Sequence, residues 1–160
     1  MAILTSSGRI ALAQSIMTSP IHLAWGFGDP DWDVSPVPES IDDYTLVAEI
    51  GRRVTSQVRF CTPDPDGEIV VPTGRFRESI DPQRHIFLRF NFDFFDAPDA
   101  TIREVGVFVG TQTQEDLPPG QTYFEPGDIT DPGILLVIER VPRFDRSASV
   151  RQSFEFVITF

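Results

Sequence analysis

Hydrophobic and polar residues alternate with a period of two along several stretches of this chain, the pattern of strands with one buried face. The clearest stretch is HIFLRFNFDFF, residues 85–95. There Ile86, Leu88, Phe90, Phe92 and Phe94 share one side, and Arg89, Asn91 and Asp93 share the other. Asp96, Ala97, Pro98 and Asp99 then break the alternation, because proline cannot donate to a ladder and aspartate favours turns. With residues 102–109 reading as the next strand, a hairpin is predicted across this acidic turn. Upstream, Leu46, Ala48, Ile50, Val54, Val58 and Phe60 hold even positions, and Glu49, Arg53, Gln57 and Arg59 hold odd ones, predicting one long strand bent at Gly51. TPDPDG at 62–67 reads as a turn, with EIVVP as its return strand. The unbroken apolar run 134–138 predicts a central strand buried on both faces. Residues 21–25 and 153–160 complete the set, the latter with Phe154, Phe156, Ile158 and Phe160 on one face.

Helical spacing occurs at the N-terminus, where Ile10, Ala13 and Met17 recur with Leu12 and Ile16 beside them. Ser6 or Ser7 can cap this helix, and Thr18, Ser19 and Pro20 stop it. Its stripe is narrow, so it is expected to pack on its own sheet. Two segments are too rich in glycine, proline and aspartate for regular structure: residues 26–43, and residues 110–133, which are expected to project. Long ordered loops commonly bind partners. The first has Trp25 and Trp32 at or near its start, Trp32 being the preferred interface anchor, and the second holds Tyr123 and Phe124. Six to eight strands, one short N-terminal helix and two long loops predict a mainly β (α+β) fold, an antiparallel sandwich-like sheet, as a single structural domain over residues 1–160. The 14 phenylalanines suit such a core.

Composition narrows the partners. A net charge of -11 argues against nucleic acid, whose phosphates demand clustered cations. All 13 basic residues are arginine, whose planar fork suits bidentate ion pairs at protein interfaces, although an arginine-favouring codon bias explains the same usage. No basic leader with an apolar stretch opens the chain, and no apolar run nears the ~20 residues of a membrane span, so an untargeted product without membrane insertion is expected. Cys61 stands alone in an alternating run and reads as a small strand residue. His22 and His85 flank predicted strands with no nucleophile motif beside them, and no P-loop, dinucleotide motif, CxxC pair or HExxH is present. Asp29, Asp31 and Asp33 imitate the opening of a calcium loop. Val34 and Ser40 then stand where an EF-hand needs glycine and glutamate. A non-enzymatic chain without cofactor or metal is expected. The competing reading is a carbohydrate-binding β-sandwich module, with Trp25, Trp32, Tyr44 or Tyr123 stacking on sugar rings.

LVAEIGRRVTSQVRFCTPDPDGEIVVPTGRF, then IFLRFNFDFFDAPDATIREVGVFVG and the closing RQSFEFVITF, resemble the tail-collar fibre and baseplate-associated structural proteins of bacteriophages. The most specific text is DAPDATIREVGVF, and the resemblance covers roughly residues 6–160. It implies a virion component at the distal tail, made in the host cytoplasm, whose copies form a ring or trimer and connect the baseplate to fibres, with no active site. Within the motif, Arg103 and Glu104 point to opposite strand faces and are expected to tie subunits or loops together. The absence of a downstream shaft or receptor-binding domain favours an adaptor over direct host recognition.

Overall fold

The computed structural model describes residues 1–160. Its elements, in order, are helix α1 (Ser6–Met17) and strands β1 (Ile21–Gly26), β2 (Glu49–Val54), β3 (Gln57–Pro63), β4 (Ile69–Val71), β5 (Gly74–Ser79) and β6 (His85–Phe92). They continue with β7 (Thr101–Val109), β8 (Gln112–Thr113), β9 (Tyr123–Phe124), β10 (Ile129–Asp131), β11 (Ile134–Asp145) and β12 (Gln152–Thr159). Strand makes up 45% of the chain against 12% helix, so the fold is mainly β with antiparallel sheets, the class predicted. The residues form two compact units.

The first unit comprises Met1–Ser19, Thr55–Phe90 and Ser153–Phe160. Its sheet has the order β12-β6-β3-β5-β4. Cys61, Ile69, Val71, Phe76 and Phe87 pack together in its core with Val157 against them. Phe90 meets Phe156 edge-on at 6.3 Å. Cys61 is fully buried, and burial pushes its thiol up to about 11, consistent with the expected small strand residue. The cap of α1 is Thr5, one residue before the predicted serines, and its hydroxyl accepts the Gly8 N–H at 3.1 Å. Only Ala13 of the helix is buried, while Leu12 stays exposed.

The second unit comprises Pro20–Val54 and Asn91–Gln152. Its five-stranded sheet has the order β11-β7-β1-β2-β9, and β10 pairs with β8 in a separate ribbon. Ala24, Leu46 and Phe108 form a core cluster with Leu135 and Ile138 packed on it. Trp25 stacks on Phe92 at 3.7 Å.

Five expectations are corrected. The long strand over 46–60 is two strands of different sheets, β2 beside β1 and β3 beside β6. The break lies at Thr55 and Ser56. Thr55 Oγ1 donates to Gln57 O at 2.8 Å, a local bond that competes with a continuing ladder, and the Ser56 N–H turns to Arg89 O of β6 at 2.8 Å. The hairpin expected across Asp96–Asp99 does not form either. β6 sits between β12 and β3 while β7 sits between β1 and β11, so both edges of each strand are already occupied. Likewise, the segment after TPDPDG returns beside β5 and not beside β3, Val71 standing opposite Gly74. Finally, the apolar run 134–138 opens β11, which lies at the edge of its sheet and not centrally, with Ile134 exposed. The 110–133 segment, read as a polar loop, contains β8, β9 and β10, and β9 extends the edge of the sheet beside β2.

Candidate docking site

The site is assembled by β7 and the segments tied to it. Residues 101–109 are β-branched, aromatic or small at most positions and lie centrally between β1 and β11. The two charged residues on this strand therefore need partners. Arg103 supplies a bidentate fork to Asp33, Nε to Oδ1 and Nη2 to Oδ2, both at 2.8 Å, and its Nη1 donates to Phe27 O at 3.1 Å. That hydrogen bonding holds the Asp33 carboxyl below the usual carboxylate range. On the opposite face, the Glu104 carboxylate accepts the Val47 N–H at 3.1 Å and the Ala48 N–H at 2.9 Å. Arg103 thus anchors the 27–33 segment, and Glu104 anchors the residues that lead into β2. The two do not pair with each other.

Asp33 ends a short 3-10 helix, Pro30–Asp33, inside the segment read as irregular. Asp29 caps it by accepting the Asp31 N–H at 2.9 Å, with proline in the first turn. Two of the three carboxylates that imitate a calcium loop are thus engaged in capping and in an ion pair. No cluster of three or more His, Cys, Asp or Glu side chains is arranged to hold a metal ion. The 3-10 turn presents Trp32. Gly28 beneath it has φ of 60°, and a Cβ at that position would meet the Trp32 ring at 2.5 Å, so only glycine allows this close approach.

The other wall comes from an irregularity of β11. Arg140 stands opposite Glu104 and Phe144 opposite Ile102, so four steps along β11 match two along β7. The excess residues bulge at Val141, Pro142 and Arg143, and proline has no N–H to give the ladder. Arg140 bridges from the bulge to the facing loop. Its guanidinium lies 4.5 Å from the Trp32 ring, donates to Val37 O at 2.7 Å and to Pro38 O, and its backbone N–H donates to Glu39 at 2.7 Å. This last bond holds the Glu39 carboxyl below its ordinary range. Between the walls lies a cleft of about 470 Å³, with Trp32, Pro36 and Val37 on one side and Val141 and Pro142 on the other. Arg103, Arg140 and Arg143 line it together with Asp33. Such a cleft suits an apolar or aromatic group flanked by carboxylates.

The remaining predicted residues lie elsewhere. Trp25 is 0% exposed; its Nε1 donates to Tyr123 Oη at 3.1 Å, so the structure brings these two together. Burial pushes the Tyr123 hydroxyl up to about 12. Phe124 is buried and meets His22 edge-on at 5.6 Å. Trp25 thus has no face free to stack on a sugar, and Trp32 carries a cation on its ring. Sequence reasoning missed Arg140 and the bulge, although Pro142 inside an apolar strand is the signal that marks one. It also missed Arg52, which is buried over Phe108 at 3.8 Å, forks onto Glu49 and donates to Thr111 Oγ1 at 2.8 Å and Pro132 O at 2.6 Å.

The ties of Arg103, Glu104, Arg140 and Arg52 hold the loops of this unit against its sheet. Over residues 1–160 the chain matches the family described as baseplate wedge 3 tail fiber network component. The chain belongs to that family. No curated protein matches it in sequence. Membership makes the chain a structural component of a phage tail, located in the virion at the baseplate and its fibre network, as the resemblance implied. No helix is long and apolar enough to cross a membrane.

Proposed function

We propose that this family member is a non-enzymatic adaptor that joins the tail end to fibres, present in several copies as a ring or trimer. It is made in the host cytoplasm and incorporated into the virion, with protein neighbours and neither nucleic acid nor membrane as partners. The observation that carries the reading is the cleft between Trp32 and the β11 bulge, an apolar slot with an arginine rim built by loops that buried ion pairs hold in place. Trp32 makes the contact, while Trp25, Arg103, Glu104, Tyr123 and Phe124 set the shape of the surrounding surface from beneath. The reading takes residues 1–160 as one structural domain, supported by the family match over the whole chain.

The test is replacement in the phage. Val141→Asp places a carboxylate in the apolar wall without touching an ion pair, and particles carrying it should lose fibres or lose the protein itself when tagged copies are located by electron microscopy. A variant that melts like the parent and still yields fully fibred particles would remove the cleft from assembly.

A further inference from the structure

The turn between β6 and β7 carries an exposed aromatic side chain on a locked support. Phe95 is 86% exposed. Its neighbours are fixed. The Asp96 carboxylate is buried, accepts the Asp93 N–H at 2.7 Å and pairs with Arg53 at 2.6 Å. Arg146 Nη2 donates to Asp93 O at 2.8 Å, and Ala97 is held at φ of 42°, a left-handed conformation that a non-glycine residue adopts only when its surroundings impose it. Arg151 lies 4.8 Å from the Phe94 ring. The backbone that carries Phe95 is held while its side chain stays in water, so little backbone ordering remains to be done when it meets a partner.

The same unit carries the complementary slot. Its volume of about 470 Å³ lies within the ~300–1,000 Å³ of ligand pockets and its walls are apolar. The electrostatics also match. Asp99, exposed beside Phe95, pairs with no cation of the chain, while Arg143 at the cleft is half-exposed (51%) and held loosely, at 3.6 Å from Asp33 and 3.3 Å from Asp145. We propose that Phe95 of one copy inserts into the Trp32–Val141 cleft of a second copy, with Asp99 meeting Arg143. This deepens the proposed adaptor role, on which it rests, by naming the contact between copies. One patch meeting a different patch is a heterologous interface, the type that closes into rings.

The experiment uses the full chain. Phe95→Cys and Val141→Cys proteins are prepared separately, mixed and exposed to a mild oxidant; Cys61 is buried and does not compete. The expected product is a mixed disulfide in excess over either homodimer. In sedimentation, Phe95→Ala should abolish self-association, and Asp99→Arg or Arg143→Glu alone should weaken it about tenfold, with the double swap restoring it. All four positions are at least partly exposed, so the variants keep the fold. Absence of the mixed disulfide, or association unchanged in Phe95→Ala, overturns the contact. If Val141→Asp strips fibres from particles while Phe95→Ala does not, the adaptor role stands and the cleft belongs to another tail protein. If neither has an effect, both readings fall.

Discussion

The two units use arginine in opposite ways. In the β12-β6-β3-β5-β4 unit, the ion pairs lie on the outside: Arg59 and Glu78 are 45% and 42% exposed, and Arg89 and Glu155 are 37% and 33%. The core beneath them is apolar, from Cys61 to Phe87. In the β11-β7-β1-β2-β9 unit, Arg52, Arg103 and Arg146 are buried and structural. Arg52 is 2% exposed against Glu49 at 17%, and Asp96 is 8% exposed beneath Arg53. The first unit is built on side-chain volume, and the second uses forked hydrogen bonds to pin its long loops. The lesson concerns cost. A carboxylate or guanidinium taken from water is costly unless it is paired, and Arg52 and Arg103 each fix more than one segment at once.

The largest effect that would break this comparison comes from Arg52. Arg52→Ala strands the Glu49 carboxylate and removes donors from Thr111 and Pro132 O, so urea denaturation should show a loss of about 3–5 kcal/mol. A loss under about 1 kcal/mol would show that the second unit is held by its core after all.

The next effect depends on pH. Burial, with the Arg52 charge adding to it, holds the His22 imidazole down to about 4. The unfolded chain takes up that proton near the ordinary value of about 6.5. Between roughly pH 6.5 and 4 the unfolded state therefore binds more protons, so the His22 contribution to stability, full at neutral pH, falls as pH is lowered and levels off below the folded value. The loss should approach about 3 kcal/mol at the acid end. Denaturation midpoints across this range should follow that slope, and His22→Gln should flatten most of it. The His85 imidazole is also lowered, by burial first and then by Arg84, and supplies a smaller remainder. An undiminished slope in His22→Gln would place the titrating group elsewhere.

The smallest effect sharpens the contrast from the other side. Arg59→Ala removes an exposed pair and should cost under about 1 kcal/mol by the same measurement. A loss matching that of Arg52→Ala would erase the distinction between the units.

Legibility in the sequence followed the same division. Strand existence was readable where apolar residues alternate, and the inward face in part: Ile86, Leu88, Phe90 and Phe92 are all buried, but Phe94, read onto the same face, lies past the end of β6 in the turn, and Phe87 on the other face is buried too. That Arg103 and Glu104 need partners was readable, because a charge pair inside an apolar strand has to be satisfied by something outside it. Their partners were not readable. Asp33 is 70 residues from Arg103, and Val47 is 57 residues from Glu104, distances over which no local pattern carries information. Arg140 was invisible for the same reason, since its partners Val37 and Glu39 lie about a hundred residues upstream.

The sequence by itself determined the mainly β class, the position of the N-terminal helix, most strand positions and the family, because period, turn chemistry and motif text are local properties of the chain. Tertiary structure alone decided which strands are neighbours. The 46–60 stretch divides between two sheets, the Asp96 turn links strands that do not pair, and an apolar run lies at a sheet edge. Strand pairing is a competition among all available edges, settled by backbone hydrogen bonds that are chemically alike everywhere. The cleft exists only once that competition has placed the β11 bulge opposite Trp32.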